Sequence, residues 1–185
     1  PSTKELIQAV NSLATDKFVI LPNNKNIVMS AEQAAQAANG KDVRVVATST
    51  IPQGISALLA LDPHGDFDET VEMMQSAREL VETGEVTTAT RNVRFDGVKV
   101  KKGQIIGLHN DQLVVAGNDV NTVVLELLER MQAGTMELIT LYYGSDVAQA
   151  DAEALAEHLA DVYPEHEIEL REGGQPHYFY ILSVE

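Results

Sequence analysis

The sequence predicts an α/β fold with a parallel βαβ-containing sheet, an added antiparallel meander and a smaller βαββ lobe. Two apolar runs, Lys17–Leu21 and Val43–Ala47, flank a stretch of helical periodicity, which is typical of parallel strands joined by a helix. From Glu85 onward the hydrophobic period changes to two, which indicates antiparallel strands. The last stretch, of about 50 residues, follows the order strand, helix, strand, strand. We therefore expect an α/β lobe over residues 1–134 and a βαββ lobe over residues 135–185.

Capping residues and helix-ending glycines set the bounds of the predicted helices. The first helices are residues 3–15 opened by Ser2 or Thr3, residues 27–38 capped by Asn23 or Asn24 and closed by Gly40, and a short buried helix at Ile55–Leu61. The later helices are residues 67–81 opened by Asp66 with Glu69 and ended by Gly84, residues 120–131 capped by Asn118 or Asp119 and followed by Gly134, and residues 146–162. Strands over residues 136–142, 167–172 and 177–184 complete the pattern.

The antiparallel segment, residues 85–117, carries two hairpin signals. Phe95-Asp96-Gly97-Val98 contains the Asp-Gly pair that two-residue turns favour, and a second turn lies between Gln104–Leu108 and Leu113–Ala116. We expect this meander to add strands to the edge of the parallel sheet or to form a flap over it.

The chain can bury a sizeable core and is strongly acidic. Its 185 residues are 44% hydrophobic, and 13 basic against 28 acidic side chains give a formal net charge of −15. Residues 119–185 alone carry 2 basic and 14 acidic side chains. Nucleic-acid binding is not expected, because it depends on cationic side chains that neutralise phosphates. The acidic part fits either a solvated surface or a surface that steers a basic partner.

The chain contains no cysteine, so disulfides and thiolate metal sites are excluded. No apolar run approaches the ~18 residues of a membrane-spanning helix, and the pattern of a signal peptide is missing. These features favour a cytoplasmic protein without a membrane span. Because the first residue is Pro1 rather than Met, we expect the chain to be a trimmed product or a piece of a longer protein.

Two polar segments follow the two predicted parallel strands. They are Leu21-Pro22-Asn23-Asn24-Lys25-Asn26 and Thr48-Ser49-Thr50-Ile51-Pro52-Gln53-Gly54. Turns at the carboxyl ends of neighbouring parallel strands lie at one edge of the sheet, where α/β folds usually place binding sites. The candidate binding residues are Asn23, Asn24, Thr48, Thr50, Gln53 and Gly54. Asn and Thr at these positions also cap helices without any ligand, so capping and binding are both open interpretations.

No catalytic set emerges from the sequence. Neither polar turn has the glycine pattern of a dinucleotide or P-loop site, and no nucleophile elbow is present. The five histidines lack the spacing of a known metal motif. We therefore expect no catalytic residue and no metal site in this chain.

One basic island interrupts the acidic sequence. Arg91, Arg94, Lys99, Lys101 and Lys102 lie within twelve residues of the predicted meander. A solvated strand face explains them without a partner, since lysine also protects sheet edges. The alternative is a surface that docks an acidic protein or a phosphate-bearing substrate.

Several of these motifs resemble the carboxyl-terminal region of the bacterial fatty acid kinase A protein, whose family is also described as dihydroxyacetone kinase-like or DAK phosphatase. The motifs are Val19–Asn26, Thr48–Gly54 followed by Ala57 and Leu58, Gly103–Leu108, and Gly173–Pro176 followed by Tyr178–Val184. They span nearly the whole chain in the order of that family. The lobes also look similar to DegV proteins.

The resemblance implies a non-catalytic domain that engages a DegV-type fatty-acid-binding carrier. It further implies that the acyl carboxylate is phosphorylated by a separate amino-terminal domain that binds ATP and Mg, so this fragment would need no cofactor of its own. The turn edge and the basic island are then the candidate docking surfaces. A different expectation is a domain that binds a small ligand, an acyl chain or phosphate, at a DegV-like site. An enzyme complete in this chain is the third and least supported reading.

Overall fold

The computed structural model describes residues 1–95 and 98–185, which form two compact units, Pro1–Val81 and Glu82–Glu185. The first unit contains α1 (Thr3–Ser12), β1 (Lys17–Ile20), α2 (Lys25–Ala37), β2 (Asp42–Val45), α3 (Ile51–Leu59) and α4 (Phe67–Glu79). The second unit contains β3 (Glu82–Thr88), β4 (Val93–Phe95), β5 (Val98–Val100), β6 (Ile105–His109), β7 (Gln112–Gly117), α5 (Val120–Arg130), a 3₁₀ turn (Ala133–Thr135), β8 (Leu138–Tyr143), α6 (Gln149–Val162), β9 (Glu167–Glu172) and β10 (Tyr178–Val184). The α/β class predicted from the sequence is confirmed.

The first unit is built on the predicted βαβ arrangement. Strands β1 and β2 pair in parallel, with Phe18 opposite Val43, and α2 joins them. Polar side chains begin the helices, because they satisfy amides that have no partner inside the helix. Ser2 and Glu5 form a reciprocal capping box on α1, and Asp66 accepts from two amides of α4.

Helix α3 departs from the prediction of a buried helix. Ala57 is fully buried, but Leu58 and Leu59 are 56% and 82% exposed. Ser56 Oγ donates to the carbonyl oxygen of Ala77 at 3.3 Å, which ties α3 to α4. The small residues of α3 therefore allow close packing on one face, while its leucines lie on the surface.

The second unit contains a six-stranded sheet in the order β7-β6-β3-β10-β8-β9. The pair β8–β9 is parallel, and the other neighbours are antiparallel. Helix α5 packs on β3, β6 and β7, and α6 packs on β8 and β9. Gly84 lies within β3 and does not end α4 as expected. A Cβ at Gly84 would lie 2.8 Å from Met131 Sδ. Close approach of α5 therefore explains this glycine.

The meander does not extend the parallel sheet of the first unit. Strand β3 pairs with β6 on one side and with β10 on the other, so strands far apart in sequence share one sheet. The boundary expected at residues 134/135 accordingly falls inside the second unit, and the compact units divide after Val81. The pairing of β3 with β10 joins the meander to the strands that the sequence pattern assigns to a separate βαββ lobe.

The structure confirms one of the two predicted hairpins, and the turn of the other lies outside the described residues. In the turn between β6 and β7, Asn110 and Asp111 have φ values of 47° and 68°, the left-handed pair that a type I′ turn requires. That hairpin is confirmed. Strands β4 and β5 pair antiparallel in a two-stranded sheet of their own. The Asp96-Gly97 turn predicted between them lies outside the described residues.

Candidate functional site

The two polar turns of the first unit meet through Asn23 and Thr48. The Thr48 hydroxyl accepts a hydrogen bond from the backbone N–H of Asn23 at 3.0 Å and donates one to the side-chain oxygen Asn23 Oδ1 at 2.8 Å. Thr48 is fully buried, and Asn23 has a left-handed φ of 52°. Asn tolerates this conformation better than most residues, and the two hydrogen bonds hold it in place. The structure thus brings the two turns together, as parallel neighbouring strands require.

Gly54 completes this contact from the first turn of α3. A Cβ at this position would overlap the side-chain amide of Asn23. Glycine is therefore required for packing, since the amide group lies directly against the Gly54 backbone. The three residues Asn23, Thr48 and Gly54 form one interlocked unit, which we call the turn edge together with Asn24, Thr50 and Gln53.

Two members of the turn edge cap helices. Asn24 Oδ1 accepts from the Asn26 amide at 2.8 Å and begins α2. Thr50 Oγ1 accepts from the Gln53 amide at 3.4 Å and begins α3. Capping accounts for the positions of these two residues, and any binding role for them stays a prediction.

The side-chain amides of Asn23 and Gln53 are oriented with their oxygen atoms turned inward. Gln53 Oε1 accepts from the Ser49 amide at 2.8 Å, and Asn23 Oδ1 accepts from the buried Thr48 hydroxyl. A flipped Asn23 amide would leave that hydroxyl hydrogen without its acceptor. Neither NH₂ group has a hydrogen bond with a described residue, and that of Asn23 lies against the Gly54 backbone.

The six residues of the turn edge have no side chain that transfers protons near neutral pH. Asn, Thr, Gln and Gly side chains do not titrate near neutral pH, so none of them is a general acid or base. Among residues 1–95 and 98–185, no group of three or more His, Asp or Glu side chains is arranged to hold a metal ion. Within the same described residues, no helix combines the length and apolarity needed to cross a membrane.

The basic island lies on and beside the β4–β5 hairpin of the second unit. Its five members, Arg91, Arg94, Lys99, Lys101 and Lys102, are all exposed. Two side chains that sequence reasoning did not single out fix the base of the hairpin. Asn92 Oδ1 accepts from the Lys102 amide, and Gln104 Oε1 accepts from the Lys101 amide, both at 2.7 Å.

The second unit also contains a cavity of about 570 Å³ that the sequence did not indicate. Its walls include Thr87–Thr90, Lys102 and His177–Phe179. His177 has a left-handed φ of 73°, and its carbonyl oxygen accepts from Thr87 Oγ1 at 2.6 Å. A left-handed histidine has no signal comparable to that of glycine, so this wall could not be found from the sequence.

Comparison with known sequences identifies a family over the full length. A family model for FakA-like C-terminal domains, those of fatty acid kinase A, matches residues 1–185. An uncharacterized protein of Staphylococcus aureus strain MRSA252 is 39% identical over 185 residues, and protein YloV of Bacillus subtilis strain 168 is 38% identical over the same length. Both alignments cover 100% of this chain but 34% and 33% of the relatives. The chain therefore spans about one third of their length.

Comparison with solved structures identifies the fold. The Streptococcus pneumoniae fatty acid kinase B3 protein, solved with linoleic acid, matches with a TM-score of 0.69 at 12% identity, over 100% of this chain and 76% of its own. A fatty-acid-binding DegV family protein from Thermus thermophilus gives 0.68 at 17% identity, over 100% and 77%. The dihydroxyacetone kinase operon co-activator DhaQ gives 0.66 at 11% identity, over 100% and 71%. The predicted similarity to DegV proteins is confirmed as a similarity of fold.

Proposed function

The chain belongs to the family of FakA-like C-terminal domains of fatty acid kinase, and on that premise we propose that it is a non-catalytic module that engages a DegV-type fatty-acid-binding carrier. In this proposal the carrier presents an acyl carboxylate, and a separate domain of the kinase phosphorylates it. The cofactors ATP and Mg then belong to that separate domain. We place the assembly in the cytoplasm.

The observation that carries the proposal is the match of the whole chain to this family. Two structural features support it. The turn edge presents amide donors without an ionisable side chain, which suits recognition better than catalysis. The basic island gathers five of the second unit's seven lysines and arginines, so it provides a localised positive surface on an acidic protein.

Because the relatives are longer than this chain, we assign binding of the carrier and binding of the nucleotide to different parts of the kinase. This chain covers 34% of the S. aureus relative, so about two thirds of such a protein lies outside the matched region. We assign nucleotide binding to that larger part, because this chain has neither a P-loop nor a dinucleotide glycine pattern. The present chain would then contribute to the kinase by holding the carrier and not by chemistry.

Calorimetric titration of the 185-residue chain with a fatty-acid-loaded DegV-type carrier from the same organism tests the proposal. We expect saturable binding that Gln53→Ala weakens, because this substitution removes a donor from the turn edge. Gln36→Ala is the matched control, since Gln36 is an exposed glutamine of α2. Absence of heat and of complex formation with every carrier of that organism would contradict the proposal.

A second candidate function is the binding of a small ligand, an acyl chain or phosphate, at the turn edge itself. The NH₂ groups of Asn23 and Gln53 favour it, because such donors match a carboxylate or phosphate oxygen. Titration of the isotopically labelled chain with octanoate and with inorganic phosphate distinguishes the two functions. Amide shifts at residues 23 and 48–54 at submillimolar ligand support the second function, and unchanged spectra with both probes contradict it.

A further inference from the structure

The β4–β5 hairpin places three cations on one face. Arg94 lies directly opposite Lys99 in the antiparallel register, so their Cβ atoms are about 5 Å apart. Lys101 lies one residue beyond the end of β5 and lines one cavity together with Arg94 and Lys99. We call Arg94, Lys99 and Lys101 the cationic face.

This arrangement is unfavourable for the hairpin in isolation. Like charges directly opposite each other destabilise a strand pair, and a lone two-stranded sheet is only marginally stable in water. No described acidic side chain forms an ion pair with the cationic face, whereas described ion pairs elsewhere involve Arg44, Arg78 and Arg171. Among the described residues, the cationic face thus lacks the carboxylate partners that Arg44, Arg78 and Arg171 have.

A cavity of about 380 Å³ lies at the same hairpin. It is lined by Asn92, Val93, Arg94, Lys99, Val100 and Lys101. Val93 and Val100 are paired across the strands, and Val100 is 2% exposed. Because side chains alternate along a strand, Val93 and Val100 point away from the side of Arg94 and Lys99. The cavity therefore has a cationic rim, which suits negatively charged side chains.

The length of the basic island favours an acidic polypeptide segment over a single anion as its ligand. Arg91 and Lys102 extend the basic island beyond the cationic face, so its charges are spread over more than ~10 Å of extended backbone. One phosphate reaches a few of these groups, whereas an extended segment with several carboxylates reaches most of them. The remainder of this chain is acidic, so an acidic partner is attracted here and repelled elsewhere.

We propose that the β4–β5 hairpin is the docking site for an acidic protein segment, whose carboxylates contact Arg94, Lys99 and Lys101 around the cavity. This inference rests on the proposed function, and it names the chemistry that the partner presents. Binding neutralises the opposed charges.

Titration of the full 185-residue chain with the peptide Glu-Glu-Ala-Glu-Glu, blocked at both ends, tests this site by amide chemical shifts. We expect shifts at residues 92–95 and 98–101 that weaken as salt is raised. Lys99→Glu should reduce the affinity by about tenfold or more, because it removes one charge-assisted contact and adds repulsion. The same substitution should increase amide protection in the hairpin, since it creates an opposite-charge pair with Arg94.

Lys4→Glu is the matched control, because it makes the same charge change at an exposed lysine of α1 and should alter the affinity by less than about twofold. A peptide with Gln in place of Glu should not bind. Equal loss of affinity in both variants, or equal binding of the Gln peptide, would overturn the inference. So would tighter binding of inorganic phosphate than of the peptide, or salt-sensitive dimerisation of the chain through this hairpin.

The proposed function and this inference can fail separately. If a DegV-type carrier binds the wild-type chain and Lys99→Glu with equal affinity, the inference fails and the proposed function stands. If the peptide result is as expected but no carrier binds, the proposed function fails.

Discussion

The two compact units differ in how they bury apolar side chains. The second unit has one contiguous core of sixteen buried residues, centred on Leu127, Leu141 and Leu182. The first unit has two clusters of three buried residues each, one around Val43 and one around Met74. A single large core is the usual source of domain stability, so the second unit has the properties of a scaffold.

Exposed large hydrophobic side chains, in contrast, are concentrated in the first unit. Among the described residues, eight of the nine large hydrophobic side chains that are exposed lie in the first unit. They include Ile51, Leu58 and Leu59 of α3, the helix that begins at the turn edge. Exposed apolar groups beside polar ones are typical of interaction surfaces. The comparison teaches that the contiguous core and most of the exposed apolar side chains lie in different units of this chain.

Truncating a leucine in each unit gives the largest expected contrast. Leu127→Ala should lower the free energy of unfolding by about 2–5 kcal/mol, because it opens a cavity beneath the sheet of the second unit. Leu59→Ala, at a position that is 82% exposed, should change it by less than about 0.5 kcal/mol. Urea denaturation followed by circular dichroism measures both, and comparable losses would contradict the comparison.

Alkaline pH should affect the second unit selectively, because all five tyrosines lie there. Burial, with a smaller contribution from the charge of Asp151, raises the pKa of Tyr180 to about 12. The folded state therefore favours the neutral phenol, and this stabilisation is complete below pH 10 and is lost as the pH rises towards 12. The loss amounts to about 2–3 kcal/mol over that interval. Unfolding free energies measured at pH 9, 10 and 11 should fall less steeply in Tyr180→Phe than in the wild type.

Adding a methyl group at Gly54 should damage the turn edge. Gly54→Ala places its Cβ against the Asn23 amide and should cost about 1–3 kcal/mol of stability. Gly134→Ala is the control, since a Cβ there meets no atom within 4 Å. Thermal denaturation compares the two variants. Equal melting temperatures would show that Asn23 does not lie against Gly54.

Asn24→Ser tests whether Asn24 only caps α2 or also binds the carrier. We expect it to have the smallest effect on stability. Serine caps helices about as well as asparagine, so the free energy of unfolding should change by only a few tenths of a kcal/mol. If Asn24 also contacts the carrier, calorimetry should show an affinity lower by about threefold or more. Unchanged affinity would restrict Asn24 to its capping role.

Local signals in the sequence predicted much of the fold. Asn24, Thr50 and Asp119 cap the helices that their positions indicate, and β9 spans the predicted residues 167–172. These features depend on neighbours a few residues away, where side-chain chemistry determines the conformation. The resemblance to the C-terminal region of fatty acid kinase A is confirmed by the family match.

Features that depend on distant partners could not be predicted. The pairing of β3 with β10 joins segments about 90 residues apart, and the hydrophobic pattern of a strand identifies its buried face but not its neighbour. At the turn edge, the types of residues were evident, but the contact of Asn23 with Gly54 requires the backbone of α3. The exposure of Leu58 and Leu59 could not be predicted, because a continuous apolar run does not show which side of a helix is buried.

Hydrogen exchange of the 185-residue chain, alone and with a fatty-acid-loaded DegV-type carrier, tests the central claim most directly. The claim is that this chain recognises the carrier through the turn edge and the basic island. We predict that the carrier slows exchange at residues 23–26, 48–54 and 91–95, while the amides of β8 and β9 are unchanged. Identical exchange with and without the carrier, or protection confined to β8 and β9, would contradict the account.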